Sequence, residues 1–397
     1  MLTTPNNPLA RLLSSLIILI VISSGCSKKS VDNQTTITSI RPSSAGAGDT
    51  VTVYGKNFST DLTRLKITVN GKPVQLIALS QDSLKFIVPQ TLGSGTVVLS
   101  MDGSTVEGPD LTYKYQVIVT TLAGSGAVGS TDGASGLASF NCPWGITADI
   151  NGDLYVADCY NRLIRKISGV DSSVSSIIIP SPINGTDNFY SPYNIALDQQ
   201  THNLFLTDFN LHVMKVTPAQ QFSVIYSDSM PMAGIGVAPD GFLYVTNNTS
   251  GTITKMDKDG QNRSIFTTGL ITPRNIIFDK NGVMYVSAYG IYKIGSNGNV
   301  LGYSLDQSFK GWEIAMDTSG VFYEADHFNN VIRRIDKNGT ATTIAGNGAA
   351  ADIDGIGLDA SFNGPQGMTI DQNGNLYVTT YNYDTQGGNK IRKISFR

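Results

Sequence analysis

The chain has 397 residues, 15% of them charged, and a net charge of −3, so it carries no basic field and binding of nucleic acid by phosphate neutralisation is not expected. Its 41 glycines, 17 tyrosines and 15 phenylalanines suit tight turns between aromatic-bearing strands and argue against a helical bundle, which draws about half its residues from Ala, Glu, Lys, Leu and Arg. Three cysteines rule out a disulfide scaffold, and three histidines leave little material for histidine-based metal or acid–base chemistry.

Residues 1–25 read as an address and not as part of a fold. Arg11 gives a short basic start. Leu12 to Ile22 is apolar apart from Ser14 and Ser15, and is too short to cross a hydrocarbon core of about 30 Å. Ser23, Ser24 and Gly25 are small, as a cleavage site requires, and Cys26 follows. The segment resembles a bacterial lipoprotein signal. The resemblance implies that Cys26 becomes the lipidated first residue of the mature chain, held on a membrane by acyl chains without a transmembrane helix. Ser27 stands where the family places an Asp for inner-membrane retention. The expected location is therefore the cell envelope, at the outer membrane, with its periplasmic and surface faces both open. Residues 26–35 carry the lipid and a polar tether.

Residues 36–116 change character. Strand-like runs at Val51–Tyr54, Lys66–Val69, Leu84–Val88 and Thr96–Ser100 alternate with Gly, Asn, Asp and Pro clusters, the pattern of a small all-β domain. Ile40-Arg41-Pro42, Gly48-Asp49-Thr50-Val51, Gly55-Lys56-Asn57-Phe58, Val88-Pro89 and Tyr113-Lys114-Tyr115 resemble an IPT/TIG domain. The resemblance implies an immunoglobulin-like β-sandwich acting as a spacer or binding module.

Residues 117–397 are repetitive. An aromatic in a "Leu-Tyr-Val" context recurs at Tyr155, Phe205, Tyr244, Tyr285, Tyr323 and Tyr377, at spacings of 50, 39, 41, 38 and 54 residues, near the length of a four-stranded blade. Each copy reads as an inner strand, a tight turn such as Asn151-Gly152, the aromatic strand, a loop and a third strand such as Ile164-Arg165-Lys166-Ile167. Polar and apolar residues alternate in that third strand, which suits a half-exposed sheet. Tyr155-Val156-Ala157-Asp158 with Asn161 and the third strand resembles the NHL repeat. The motif recurs from Tyr323 and from Tyr377, while Asn247 and Ala288 replace the Asp in the third and fourth copies.

The ends of this region predict how it closes. Thr120-Thr121-Leu122-Ala123-Gly124 matches Thr342-Thr343-Ile344-Ala345-Gly346, and the register holds through Phe140 and Phe362 to Pro143 and Pro365 at a constant offset of 222. The sixth copy stops after its third strand, and residues 117–122 form a strand without a blade. Pairing the two removes two exposed edges. The predicted fold is all-β: an immunoglobulin-like β-sandwich followed by a six-bladed β-propeller with a 3+1 closing seam.

The residue that opens each inner strand is Trp144, Tyr193, Ala233, Arg274, Trp312 or Gln366, and the chain's two tryptophans both fall in this set. The next positions include Asn194, Asn275 and Glu313. Flat rings among amides and charges suit a sugar, whose C–H face packs on a ring and whose hydroxyls need polar partners. The same rings could instead fill the channel mouth as packing. Loop aromatics Tyr160, Phe209, Tyr289, Phe328, Tyr381 and Tyr383 are expected on the same face. The repeat Asp at 158, 208 and 326 is expected to tie its own loop.

Cys142 and Cys159 flank the first hairpin, and a disulfide or two packed free thiols both fit. His202, His212 and His327 do not converge, so no metal and no cofactor are expected. No Gly-x-Ser-x-Gly elbow or phosphate loop is present. The reading is a lipid-anchored envelope protein that binds a glycan. A lyase or hydrolase using Glu313 and Arg274 is one alternative, and a scaffold for polypeptide partners is another.

Overall fold

The computed structural model describes residues 34–89, 92–183, 191–208, 211–288, 290–304 and 311–397. The signal segment and Cys26 lie outside the described residues. Two β-sheets face each other first. One orders Thr36–Arg41, Thr50–Lys56, Ser83–Ile87 and Leu76–Leu79. The other orders Ser44–Gly46, Ser104–Lys114, Gly95–Met101, Leu65–Val69 and Lys72–Pro73. Alternate residues point inward, as the pleat demands. Val51, Val53, Ile67, Val69, Leu84, Phe86, Val97 and Leu99 thus meet in one apolar core.

Six further sheets form the propeller. The first blade runs from Pro143–Ala148 at the axis through Leu154–Asp158 and Leu163–Ile167 to Val174–Ile178 at the rim. The repeated aromatic explains why blades stack. Tyr155 packs into the core of the second blade, Phe205 into that of the third and Tyr244 into that of the fourth. Tyr285 and Tyr323 continue the series, and Tyr377 packs into the core of the first blade.

The ring closes as the sequence predicts. Val117–Ala123 pairs antiparallel with Gly387–Phe396, with Val119 opposite Ile394, so the sixth blade takes its outer strand from the start of the domain. A two-residue strand, Gly355–Ile356, covers the other edge of Val117–Ala123. The sandwich joins at this seam. Gln116 and Arg397 exchange backbone hydrogen bonds of 2.7 and 3.0 Å, and Tyr115 packs on Phe396, which packs on Tyr323.

A hydroxyl stitches the inner strands together. In the sixth blade the Gly367 N–H donates to Thr379 Oγ1 at 2.8 Å, and that hydroxyl donates to the Trp144 carbonyl of the first blade at 2.7 Å. Thr207 repeats this, accepting from Asn194 N and donating to Ala233 O at 2.6 Å. Ser287 accepts from Asn275 N and donates to Trp312 O at 3.1 Å. Thr246 accepts from Gly234 N and stands 3.5 Å from Arg274 O. Ala157 and Ala325 occupy the equivalent positions in the other two blades. Glycine at 234 and 367 permits the close approach. A Cβ there would stand 2.1 Å from the Arg274 or Trp144 carbonyl oxygen of the next blade.

One structural feature departs from the sequence reading. The third strands were expected to be half exposed, yet Arg165 and Arg392 are fully buried. Arg165 donates to Asp158, Asp132 and the Ser139 and Thr131 carbonyls, over the Phe140 ring. Arg392 does the same with Asp352, Asp354 and the Ser361 and Ile353 carbonyls, over Phe362. Each guanidinium is buried because carboxylates and carbonyls replace its water.

Thr379→Val keeps shape but removes one stitch, leaving the Gly367 N–H and a Trp144 carbonyl lone pair unmet. Leaving a buried polar group unsatisfied costs about 1–3 kcal/mol, so denaturant unfolding should show a loss of that size. A loss near zero would mean that the hydroxyl does not bind the blades.

Candidate functional site

Four inner strands carry a bulge at their start, in the positions singled out by sequence. Pro143 pairs with Asp158 but Ile146 with Val156, so Trp144 and Gly145 face one residue. Tyr193–Asn194, Ala233–Gly234 and Gln366–Gly367 lie in equivalent bulges. A bulge re-aims side chains at the end of a strand. Here it gathers rings over the channel. Trp144 lies 4.6 Å from Tyr193, 4.9 Å from Trp312 and 5.7 Å from Tyr383 between ring centroids.

Of the two sequence readings of these positions, a stacking surface or a packed channel mouth, the burial of the side chains matches the packed one. Trp144 is 2% exposed, and Tyr193, Asn194, Asn275, Glu313 and Gln366 are buried as well. Only Arg274 and Trp312 of the predicted set keep part of their surface in solvent. The reason is crowding. Rings from the first, second and fifth blades converge on one axis and cover each other, so the inner set acts as a plug.

Below the plug, Glu313 spans the channel. Its Oε1 accepts from Asn194 Nδ2 of the opposite blade at 2.6 Å, and its Oε2 accepts from Met368 N of the sixth blade at 3.1 Å. Burial pushes its carboxyl up to about 8, against the lowering effect of those two hydrogen bonds. Gln366 donates from Nε2 to the Tyr381 carbonyl at 2.9 Å. Cys142 and Cys159 lie against Trp144, Tyr193 and Tyr381 as free, buried thiols. Hydrogen bonding to Cys159, with burial, pushes the Cys142 thiol up, so it is protonated at neutral pH.

The open part of the face lies one layer further out, in the loops after the second strands. Tyr160 is 52% exposed, Phe328 61% and Tyr383 40%. Ring contacts join them: Tyr160 to Tyr381, Tyr381 to Tyr383, Tyr383 to His327, His327 to Trp312 and Phe328. The arc spans the first, sixth and fifth blades. Tyr381 is the buried member beneath it. Phe209 and Tyr289 lie outside the described residues. Sequence reasoning named these loop rings but set the inner positions first. The signal that ranks them is chain position: loop tips face solvent, whereas strand starts converge.

The repeat Asp ties its loop as expected. Asp158 accepts from Asn141 N and Asn161 Nδ2, and Asp326 from Asn329 N and Nδ2. Asp208 accepts from His212 N, and its other oxygen lies 3.1 Å from the His212 ring. His202 pairs with Asp149 at 3.3 Å, away from the plug. Among the described residues, no group of three or more His, Cys, Asp or Glu is placed to hold a metal ion.

Comparison with known proteins places these features. The IPT/TIG domain model matches residues 35–115, and the NHL repeat model matches residues 140–167. The NHL repeat-containing protein 2 of Bos taurus is 25% identical over 64% of this chain, which spans 39% of that relative's length. Two solved structures from Bacteroides thetaiotaomicron share the fold over nearly the whole chain. A structural genomics protein of unknown function has a TM-score of 0.63 and 21% identity, covering 92% of this chain and 99% of its own. An auxiliary nutrient binding protein has a TM-score of 0.56 and 19% identity, covering 91% of this chain and 97% of its own.

Glu313 also predicts a pH dependence. An unfolded Glu releases its proton near about 4.3, whereas the folded one keeps it to about 8. The folded state therefore binds the extra proton between these values, and the stability linked to it is full below the lower value and lost as pH rises through the upper. Glu313→Gln removes the titration. Its melting temperature should fall less than that of the wild type from about pH 5 to 8. Parallel pH profiles for the two proteins would contradict the assignment.

Proposed function

We propose that this is a lipid-anchored binding protein of the cell envelope, tethered through Cys26, that recognises carbohydrate on the aromatic rim of its propeller. The sandwich serves as a spacer from the membrane. The observation that carries the reading is the arc of Tyr160, Tyr383, Trp312 and Phe328, exposed or half-exposed rings fixed on a buried, hydrogen-bonded plug. Rings of this kind present a flat apolar face to sugar C–H groups. The fixed plug beneath them spares the ordering cost that a loose loop would bring to binding. The solved nutrient binding protein of the same fold is consistent with uptake or capture as the task.

The lyase or hydrolase alternative uses Arg274 together with the carboxyl of Glu313. Both of its oxygens accept hydrogen bonds and the residue is buried under the plug, out of reach of a ligand on the rim. A polypeptide partner is the alternative that the same surface leaves for experiment.

Trp312→Ala, Phe328→Ala and Tyr383→Ala together should lower retention on a polysaccharide affinity gel by about 10- to 2,000-fold, at about 0.5–1.5 kcal/mol per ring contact. Far-UV circular dichroism should stay near wild type, while the melting temperature falls because Trp312 packs on Trp144. Retention undiminished in the triple variant would sink the aromatic rim as the carbohydrate site. A membrane protein that co-purifies with the wild type and not with the variant, with no sugar retained by either, would favour the scaffold.

A further inference from the structure

We propose that Arg274 receives the negative charge of an acidic saccharide, a carboxylate-bearing sugar, at the edge of the aromatic arc. The inference rests on the rim as a carbohydrate surface and adds the class of sugar.

Three other arginines of the propeller are neutralised by the fold. Arg165 and Arg392 each pair with two aspartates, and Arg333 pairs with Asp326, all at 2.8 to 2.9 Å. Among the described residues, Arg274 has no such carboxylate within ion-pair distance. Its guanidinium carbon stands 4.0 Å from the Trp312 ring centroid, and its Nη1 is buried without a hydrogen-bond partner. A ring face offsets only part of the cost of taking a cation out of water. The acid next to Trp312 in sequence does not complete the pairing. Glu313 spends both oxygens on Asn194 and Met368.

The surroundings of Arg274 select for more than charge. Trp312 Nε1 and His327 Nδ1, on rings 5.3 Å apart between centroids, are also buried without partners. Burial above all, with the charge of Arg274, holds the His327 ring below its ordinary range, so Nδ1 is set to accept while the ring bonds to Pro365. The group thus contains a cationic fork and an indole donor beside one acceptor. A carboxylate matches the planar fork through two parallel hydrogen bonds. Sugar hydroxyls both donate and accept, and so match the rest. A neutral sugar would leave the cation unmet. A simple carboxylate would leave the acceptor and the rings unused.

The test is affinity electrophoresis of the purified full chain in gels containing polygalacturonate, dextran sulfate or neutral dextran. The wild type should be retained by polygalacturonate most strongly, and less so as salt is added. Arg274→Gln should lose about 10- to 100-fold in polygalacturonate affinity, the scale of a charge-assisted hydrogen bond, a larger fractional loss than on neutral dextran. Arg274→Lys, which keeps the charge and lacks the fork, should recover part of the loss. Polygalacturonate retention that is the same in Arg274→Gln and wild type overturns the proposal. So does Arg274-dependent retention confined to dextran sulfate, which would assign the site to sulfate esters. Trp312-dependent binding of dextran alone overturns it while leaving the rim reading intact. Failure of the wild type to bind any saccharide overturns both.

Discussion

The hydroxyl stitches at Thr207, Thr246, Ser287 and Thr379 hold the inner strands of this propeller at a fixed spacing. Each converts a gap between blades into a two-step hydrogen-bond path, from one backbone N–H through a side chain to the next blade's carbonyl. Such a path works only if the carbonyl comes close, which is why glycine stands at 234 and 367. The stitches hold a ring only if the ring is closed. Closure comes from Val117–Ala123 pairing with Gly387–Phe396. Inner spacing and outer seam are thus two halves of one constraint.

That constraint decides what the channel face can do. Six strand starts forced to one spacing leave no room for several large rings to stand apart. Trp144 and Tyr193 therefore pack on each other and on Trp312. Glu313 reaches across to Asn194 and shuts the channel below them. Chemistry placed that deep is committed to structure. What remains for a ligand is the loop layer, where Tyr160, Phe328 and Tyr383 are held from beneath by the plug. Arg274 and Trp312 sit at the boundary between the two layers, partly in solvent.

Much of the fold was legible in the chain. The repeated aromatic has a fixed physical job, filling the gap to the next blade, so it recurs at blade spacing. The constant offset between residues near 120 and near 342 exposed the seam, because equivalent strands carry equivalent residues. The burial of Arg165 and Arg392 was not legible. In an alternating strand an arginine looks solvent-facing, and its partners Asp132 and Asp354 lie more than thirty residues away in sequence. The stitches escaped notice because Thr, Ser and Ala at one repeat position look like ordinary strand residues. At the site, sequence placed the right positions on one face but not their depth. Alignment says which residues share a rim, whereas depth depends on ring volume and strand spacing, which only the assembled structure supplies.

The central claim is that a saccharide seats on the aromatic arc, against Trp312. The chain's two tryptophans make this directly visible, since Trp144 is shielded and Trp312 is partly in solvent. The most direct measurement is tryptophan emission, with acrylamide quenching, during titration with a saccharide that the protein retains. The account predicts a saturable emission change and protection from acrylamide, both absent in Trp312→Phe. Saturable binding that leaves emission and quenching untouched would place the ligand elsewhere and contradict it.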